Sequence, residues 1–265
     1  VALICPWASR VLIARKLKGL DEVLPITVVN PALSDQGWAF GGYDGADEDP
    51  LCGAKHLHEL YTRADDTFTG RATVPVLWDT KTNTMVNNES ADILRMLDTA
   101  FDGVVAPTPS YYPEDLREQI DTINARVYDE VNNGVYKSGF ATTQEAYDEA
   151  VVTLFDALDW LEGILSENRY LTGDRLAEAD WPLFTTLVRF DLVYHLHFKC
   201  NRKRIIDYPN LWGYTRELYQ VAGVANTVHF DHIVRHYHYS HDTINPNRII
   251  PINPVLDWDA PHGRD

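Results

Sequence analysis

Cysteine is scarce in this 265-residue chain: three residues, Cys5, Cys52 and Cys200, lie far apart in sequence. Such a set builds no disulfide framework, and without a CxxC spacing it supplies neither a zinc ribbon nor a dithiol redox pair. An odd, unpaired set fits a reducing, cytoplasmic compartment where thiols stay free. Cations are also in deficit, with 23 Lys and Arg against 39 Asp and Glu, a net charge of −16. A chain this acidic lacks the basic face that nucleic acid requires, and it is disfavoured on anionic lipid. No hydrophobic run approaches the roughly 18 residues needed to cross a bilayer, so no membrane is expected as a partner. The opening Val1-Ala2-Leu3-Ile4 stops at Cys5-Pro6, too soon for the apolar region of a signal peptide. It reads as a buried strand entered part-way, with further residues expected ahead of Val1. What the chain does possess is 45% hydrophobic residues, enough to build a core in one large or two ordinary domains.

The pattern changes character along the chain. Residues 1–30 read strand, helix, strand: a short apolar run, then Val11, Leu12, Leu17 and Leu20 behind Pro6, then the β-branched Leu24 to Val29. Proline suits the first helical position because its missing N–H would be unpaired there anyway. Residues 31–70 hold six glycines and an acidic cluster, and read as a long loop with one short helix near 53–62. Thr73 to Asp79 reads as a strand, Thr84 to Asn87 as its partner across a turn, and Ala91 to Leu97 as a helix. Three prolines in Ala106 to Pro113 mark a linker. Beyond it the apolar spacing is helical over 114–133, 143–167, 179–196 and 210–221. The expected organisation is α/β plus all-α, with domains over 1–106 and 113–240 and an extended tail over 241–265. The tail's Ile244, Ile249, Ile250, Ile252, Val255, Leu256 and Trp258 suggest that it docks on the body.

Cys5 stands between a buried-type run and a helix opening on Pro6. A helix N-terminus presents unpaired N–H groups and about half a positive charge. Both favour the thiolate, which is the nucleophilic form. An arbitrary free cysteine is by default a buried structural residue; this setting shifts the reading toward chemistry. A second concentration of reactive groups, His229, His232, His236, His238 and His241, falls in thirteen residues. The i,i+3 and i,i+4 spacings would suit a metal, but there is no HExxH, and no metal is expected. These histidines read as solvated or substrate-lining, and His195 and His197 as structural.

Cys5-Pro6-Trp7-Ala8 followed by Arg10 resembles the active-site motif of the S-glutathionyl-hydroquinone reductases, the xi class of glutathione transferases. Val74 to Asp79 (VPVLWD), Asn88 to Ile93 (NESADI), Leu171 to Leu176 (LTGDRL) and Asp207 to Leu211 (DYPNL) agree in order. Ser240 to Pro246 and Leu256 to Gly263 resemble that class in particular, so the likeness covers essentially the whole chain. The resemblance implies a thioredoxin-like N-terminal domain followed by an all-helical glutathione-transferase C-terminal domain. It implies Cys5 as the catalytic thiol and glutathione as co-substrate, with no flavin, nicotinamide or metal.

For the glutathione site it implies a cis Val74–Pro75 peptide presenting Val74 to the cysteinyl moiety, and Glu89 and Ser90 at the γ-glutamyl end. The alternative for Glu89-Ser90 is a plain helix cap. Trp38 and Arg71 match further glutathione contacts, against ordinary surface packing as the other reading. Tyr136, Tyr237 and Tyr239 match tyrosines that line the hydroquinone pocket from the helical domain, against ordinary core tyrosines. A homodimer is implied too. Two positions depart from the family: Ser9 replaces a histidine, and Ala177 replaces a threonine expected to cap a helix with Asp180 three residues on. An omega-like transferase reducing disulfides or dehydroascorbate would use the same Cys5, and a non-catalytic binding protein of this fold is a third reading.

Overall fold

The computed structural model describes residues 1–264. They divide into two compact units: Val1–Thr108 together with Asn226–Ser240, and Pro109–Ala225 together with the segment from His241. Residues 226–240, expected to belong to the helical domain, therefore group with the first unit, while the tail groups with the second.

In the first unit, α1 (Pro6–Leu17) buries Ala8, Val11, Leu12 and Ile13. α2 spans Leu57–Ala64 and α3 spans Ser90–Thr99. Ile93, Leu94 and Leu97 of α3 pack with Val11, Ala14 and Leu20, joining the two helices through an apolar stripe that removes both from water. β1 (Leu77–Asp79) and β2 (Thr84–Asn87) form an antiparallel hairpin, with Trp78 opposite Met85 and Asp79 opposite Thr84. The turn is held by the Asp79 carboxylate, which accepts from the Lys81 N–H at 2.8 Å and the Thr82 hydroxyl at 2.6 Å. Asn83 takes the left-handed position at φ 56°, which asparagine tolerates.

The strands expected over 1–4 and 24–29 do not form a ladder. Val29 N–H reaches Val1 O at 2.9 Å, and a turn closed by Cys5 N–H to Ala2 O at 3.1 Å then bends the chain away. The strand expected over 73–79 is shortened to Leu77–Asp79, consistent with Pro75 having no N–H for a ladder. The glycine-rich 31–70 segment is better ordered than a loop. Val29 bridges Phe40 and Ala39 bridges His56, so the chain doubles back before α2, which starts later than expected because His56 belongs to that bridge.

In the second unit the helix expected over 114–133 is broken into a 3-10 turn at Glu114–Leu116, α4 (Arg117–Arg126) and a wider π-helical turn at Val127–Asn132. Asn132 is buried there, and its amide donates to Pro182 O at 2.9 Å and Thr186 Oγ1 at 2.7 Å. α5 (Gly134–Gly139) follows, then α6 (Gln144–Glu167), whose Ala150, Leu154, Leu158, Leu161 and Leu165 are buried at the expected spacing. Thr143 caps α6, its Oγ1 accepting from Ala146 N–H at 3.2 Å. Thr143→Ala is expected to cost about 1 kcal/mol, read as a lower midpoint in urea unfolding with an unchanged slope.

α7 (Asp180–Arg189) continues through a π-helical turn, Phe190–Tyr194, into the single-turn α8 (His195–His197); α9 spans Pro209–Gln220. α7 begins at Asp180 with Ala179 before it, so position 177 is not its cap. The Asp180 half of the expected box is present: its carboxylate accepts from Ala177 N–H at 2.8 Å. The tail docks through Trp258, whose ring meets Trp212 edge-on at 5.1 Å and Tyr219 at a tilt at 5.2 Å, and through Arg264, whose Nε lies 3.0 Å from Glu217 Oε2. Ile249, Ile250, Ile252 and Val255 are exposed, contrary to the expectation that they seat it. Among the described residues no helix is long and apolar enough to cross a membrane.

Candidate functional site

Cys5 immediately precedes α1 in extended conformation (φ −74°, ψ 122°) and is 6% exposed. Its carbonyl accepts from Ser9 N–H at 2.9 Å, starting the helical ladder. Its side chain does not cap the helix; the thiol donates to Val74 O at 3.7 Å. Two sequence-predicted residues 69 positions apart thus meet directly. The Val74–Pro75 peptide is cis, and both residues are buried. Ser9 lies on the buried side of α1.

Glu89 occupies the cap position of α3 but makes no side-chain cap hydrogen bond, and Ser90 is the first helical residue, buried. Glu89 is exposed, and its N–H is held by Asn87 Oδ1 at 2.6 Å. The plain-cap reading of Glu89 is therefore not what its side chain does. An uncapped helix start with N–H groups is a natural seat for a carboxylate.

Trp38 is half-buried, its carbonyl accepting from Leu57 N–H at 2.9 Å. Arg71 is exposed, three residues before Val74.

A group that the sequence reading missed ties two of these segments together. Tyr61 OH on α2 donates to Thr73 O at 2.8 Å and accepts from Asn88 Nδ2 at 3.1 Å. Thr73 and Asn88 are the neighbours of Val74 and Glu89, so one buried tyrosine sets the spacing of both. Nothing in its local sequence signals this, because a tyrosine on an amphipathic helix reads as packing.

The tyrosines expected at the aromatic substrate divide between the units. Tyr237 and Tyr239 lie on α10 (Phe230–Ser240), in the first unit rather than the helical one. Tyr237 is 1% exposed, and Tyr239 carries the Arg235 guanidinium over its ring at 3.7 Å. Tyr136 lies on α5 in the second unit, half-buried, with Tyr194 and Phe198 edge-on at 6.0 and 5.3 Å.

The histidines are not solvated as a set: His232, His236 and His238 are buried. Among the described residues no group of three His, Cys, Asp or Glu side chains is placed to hold a metal. His197 Nε2 and His241 Nδ1 are 3.1 Å apart in the second unit.

The other two thiols are poorly suited to attack. Burial pushes the Cys200 thiol up to about 12. Desolvation and the Asp49 carboxylate beside it raise that of the exposed Cys52. Neither is a thiolate source near neutral pH.

Comparison with known proteins gives a consistent picture. Residues 4–100 match the glutathione S-transferase N-terminal domain, and residues 144–217 match the glutathione S-transferase C-terminal domain. The chain is 56% identical over 266 aligned residues to glutathionyl-hydroquinone reductase YqjG of Escherichia coli (strain K12), covering 100% of this chain and 81% of that protein. The glutathione-bound structure of YqjG superposes with a TM-score of 0.98, covering 100% of this chain and 86% of that one. A xi-class transferase from Natrialba magadii, 50% identical, also gives a TM-score of 0.98, over 100% of this chain and 81% of that one.

Proposed function

The chain belongs to the glutathione S-transferase family and, within it, to the xi-class glutathionyl-hydroquinone reductases, and on that premise we propose that it reduces S-glutathionyl-hydroquinones with glutathione through Cys5. Its fold is a thioredoxin-like domain followed by an all-helical glutathione-transferase domain. The observation that carries the catalytic reading is the Cys5 thiol at the head of α1, in contact with Val74 O beside the cis Val74–Pro75 peptide.

The Cys5 thiolate attacks the glutathione sulfur of the conjugate. An S–S bond forms and the bond from that sulfur to the ring carbon breaks. The ring carbon takes the electron pair and a proton, giving the free hydroquinone. Cys5 is left as a mixed disulfide with glutathione, and a second glutathione thiolate attacks it, releasing glutathione disulfide and restoring the Cys5 thiolate. The sulfur pair is oxidised and the ring carbon is reduced, so one conjugate and one glutathione become one hydroquinone and one disulfide.

Val74 supplies main-chain groups to the cysteinyl moiety, with Pro75 setting their direction. Ser90 and the start of α3 receive the α-carboxylate, and Glu89 pairs with the α-amine. Trp38 covers the tripeptide and Arg71 meets a carboxylate. For the hydroquinone ring the proposed phenols are Tyr136, Tyr237 and Tyr239, each a flat ring carrying a hydroxyl. A homodimer and a reducing, cytoplasmic setting belong to the same reading.

Mass spectrometry of the protein after exposure to a glutathionyl-hydroquinone, without free glutathione, tests the central step. One glutathione disulfide-linked to Cys5 is expected, removed by added glutathione. An adduct on Cys52 alone, or no adduct during turnover, would overturn the assignment.

A further inference from the structure

The i,i+4 pair His232 and His236 has the spacing of a metal site but is used otherwise. Each ring meets a backbone carbonyl of the 31–45 segment: His236 Nδ1 lies 2.6 Å from Pro31 O, and His232 Nε2 lies 2.7 Å from Asp44 O. A carbonyl only accepts, so the proton sits on Nδ1 of His236 and on Nε2 of His232. Each ring also meets an aromatic ring of the same segment. His236 stacks on Trp38 at 5.3 Å with 18° between the planes, and His232 meets Tyr43 edge-on at 5.2 Å and 87°.

One helical turn beyond His236, Ser240 Oγ accepts from Leu33 N–H at 3.1 Å. Gly45 makes room for the arrangement: a Cβ there would stand 3.0 Å from His232 Nε2, and its φ of +74° favours glycine in any case. One face of α10 therefore grips the Trp38 segment at Pro31, Leu33 and Asp44. These links join residues about two hundred positions apart, all within the first unit.

We propose that His236 is a positioning residue of the glutathione site, holding the Trp38 indole in its ligand-covering orientation from the side opposite the ligand. This rests on the reading of Trp38 as a glutathione contact. The backbone bonds of the segment, Asn30 N–H to Ala39 O and Leu57 N–H to Trp38 O, fix where Trp38 leaves the chain but not how its ring turns. The His236 face fixes the ring, and its Nδ1–H on Pro31 fixes the His236 ring in turn. A ring already ordered before ligand arrives loses less freedom on binding, so its support appears in affinity more than in chemistry. Histidine suits the position because it combines a flat face with an N–H donor in one small buried side chain.

Two substitutions separate these parts: His236→Phe keeps a stacking face without the donor, and His236→Gln keeps a donor without the face. With glutathione as the varied substrate, KM is expected to rise about threefold in the first and about tenfold in the second, with kcat within about twofold of wild type. In a Trp38→Ala background both increments should vanish, because two residues acting through one contact are not additive. An unchanged KM in both variants, a fall in kcat at constant KM, or full increments without Trp38 would each overturn the proposal. Should His236→Phe not fold, His236→Gln decides alone. Amide hydrogen exchange over residues 31–45, measured without ligand, is expected to be about tenfold faster in the variants; unchanged exchange also overturns it. Wild-type protein that exchanges slowly over 31–45 yet neither binds nor consumes glutathione would sink the catalytic reading instead, so the two failures are told apart.

Discussion

Cys5→Ser is expected to lower glutathione-dependent reduction of a glutathionyl-hydroquinone by at least about a thousandfold, because a hydroxyl at this position is neither ionised nor able to form the mixed disulfide. The change removes little volume, and the contact with Val74 O can be kept by a hydroxyl donor, so folding should be retained and the loss read as chemistry. Cys52→Ser supplies the contrast. Cys52 is exposed and bonded to Asp49, outside the proposed machinery, and its replacement should leave kcat near wild type. Steady-state rates on both variants, with unfolding curves alongside, check the pair. Substantial turnover by Cys5→Ser would remove the nucleophile assignment. Since an omega-like activity would fall with the same substitution, comparing wild-type rates on a glutathionyl-hydroquinone and on a glutathione mixed disulfide separates those two activities.

The second large effect is on stability and comes from Asp180. This side chain is fully buried at the start of α7 and accepts from Leu171 N–H at 3.0 Å, Ala177 N–H at 2.8 Å and Tyr214 OH at 2.8 Å. Asp180→Ala would take the carboxylate from three buried donors, leaving Tyr214 OH only its longer 3.4 Å contact with Asp180 O, and we expect it to destabilise the protein by about 3–5 kcal/mol. Chemical unfolding at neutral pH measures this; a loss below about 1 kcal/mol would mean that the donors find other partners.

The pH dependence gives an independent reading. Burial raises the Asp180 carboxyl from 3.8 to about 6 in the folded protein. The folded state thus holds this proton more tightly than the unfolded chain does. The associated stability is fully present below pH about 3.8 and is lost as pH rises through about 6. Raising the carboxyl from 3.8 to about 6 corresponds to about 3 kcal/mol. The difference in stability between wild type and Asp180→Ala should therefore widen as pH falls from 7 toward 4. Narrowing over that window would show a lowered carboxyl, and the burial argument would be wrong in sign.

Much of the architecture was legible in local pattern. Apolar spacing located α6 within a residue of each end, since a helix that buries one stripe must repeat it. Pro6 marked the start of α1, and the linker prolines marked the passage to helices. Elsewhere the pattern misled for identifiable reasons. The apolar runs at 1–4 and 24–29 have strand-like side chains, but a ladder needs a continuous partner, and the turn from Ala2 to Cys5 removes it after the two bonds that Val1 makes to Thr27 and Val29. Of the tail's apolar residues Trp258 packs on Trp212, whereas Ile249, Ile250, Ile252 and Val255 are exposed and a polar anchor, Arg264 on Glu217, stands beside it. Composition registers apolar residues but not whether a surface stands opposite them.

The candidate site divides in the same way. A cysteine before a helix-opening proline, a Val-Pro dipeptide and a Glu-Ser pair at a helix start are features of adjacent residues, and backbone stereochemistry makes their local geometry readable. The Cys5–Val74 contact spans 69 positions, the Tyr61–Asn88 link 27 and the His236–Pro31 bond 205. Such distances in sequence carry no local signal. The sequence by itself determined the chemistry on offer: one thiol at a helix start, in a chain too acidic for nucleic acid. Only the tertiary structure decided what that chemistry is held against. It placed α10 on the Trp38 segment and turned two metal-like histidines into donors to backbone carbonyls, because a buried N–H must find an acceptor wherever packing brings one within reach.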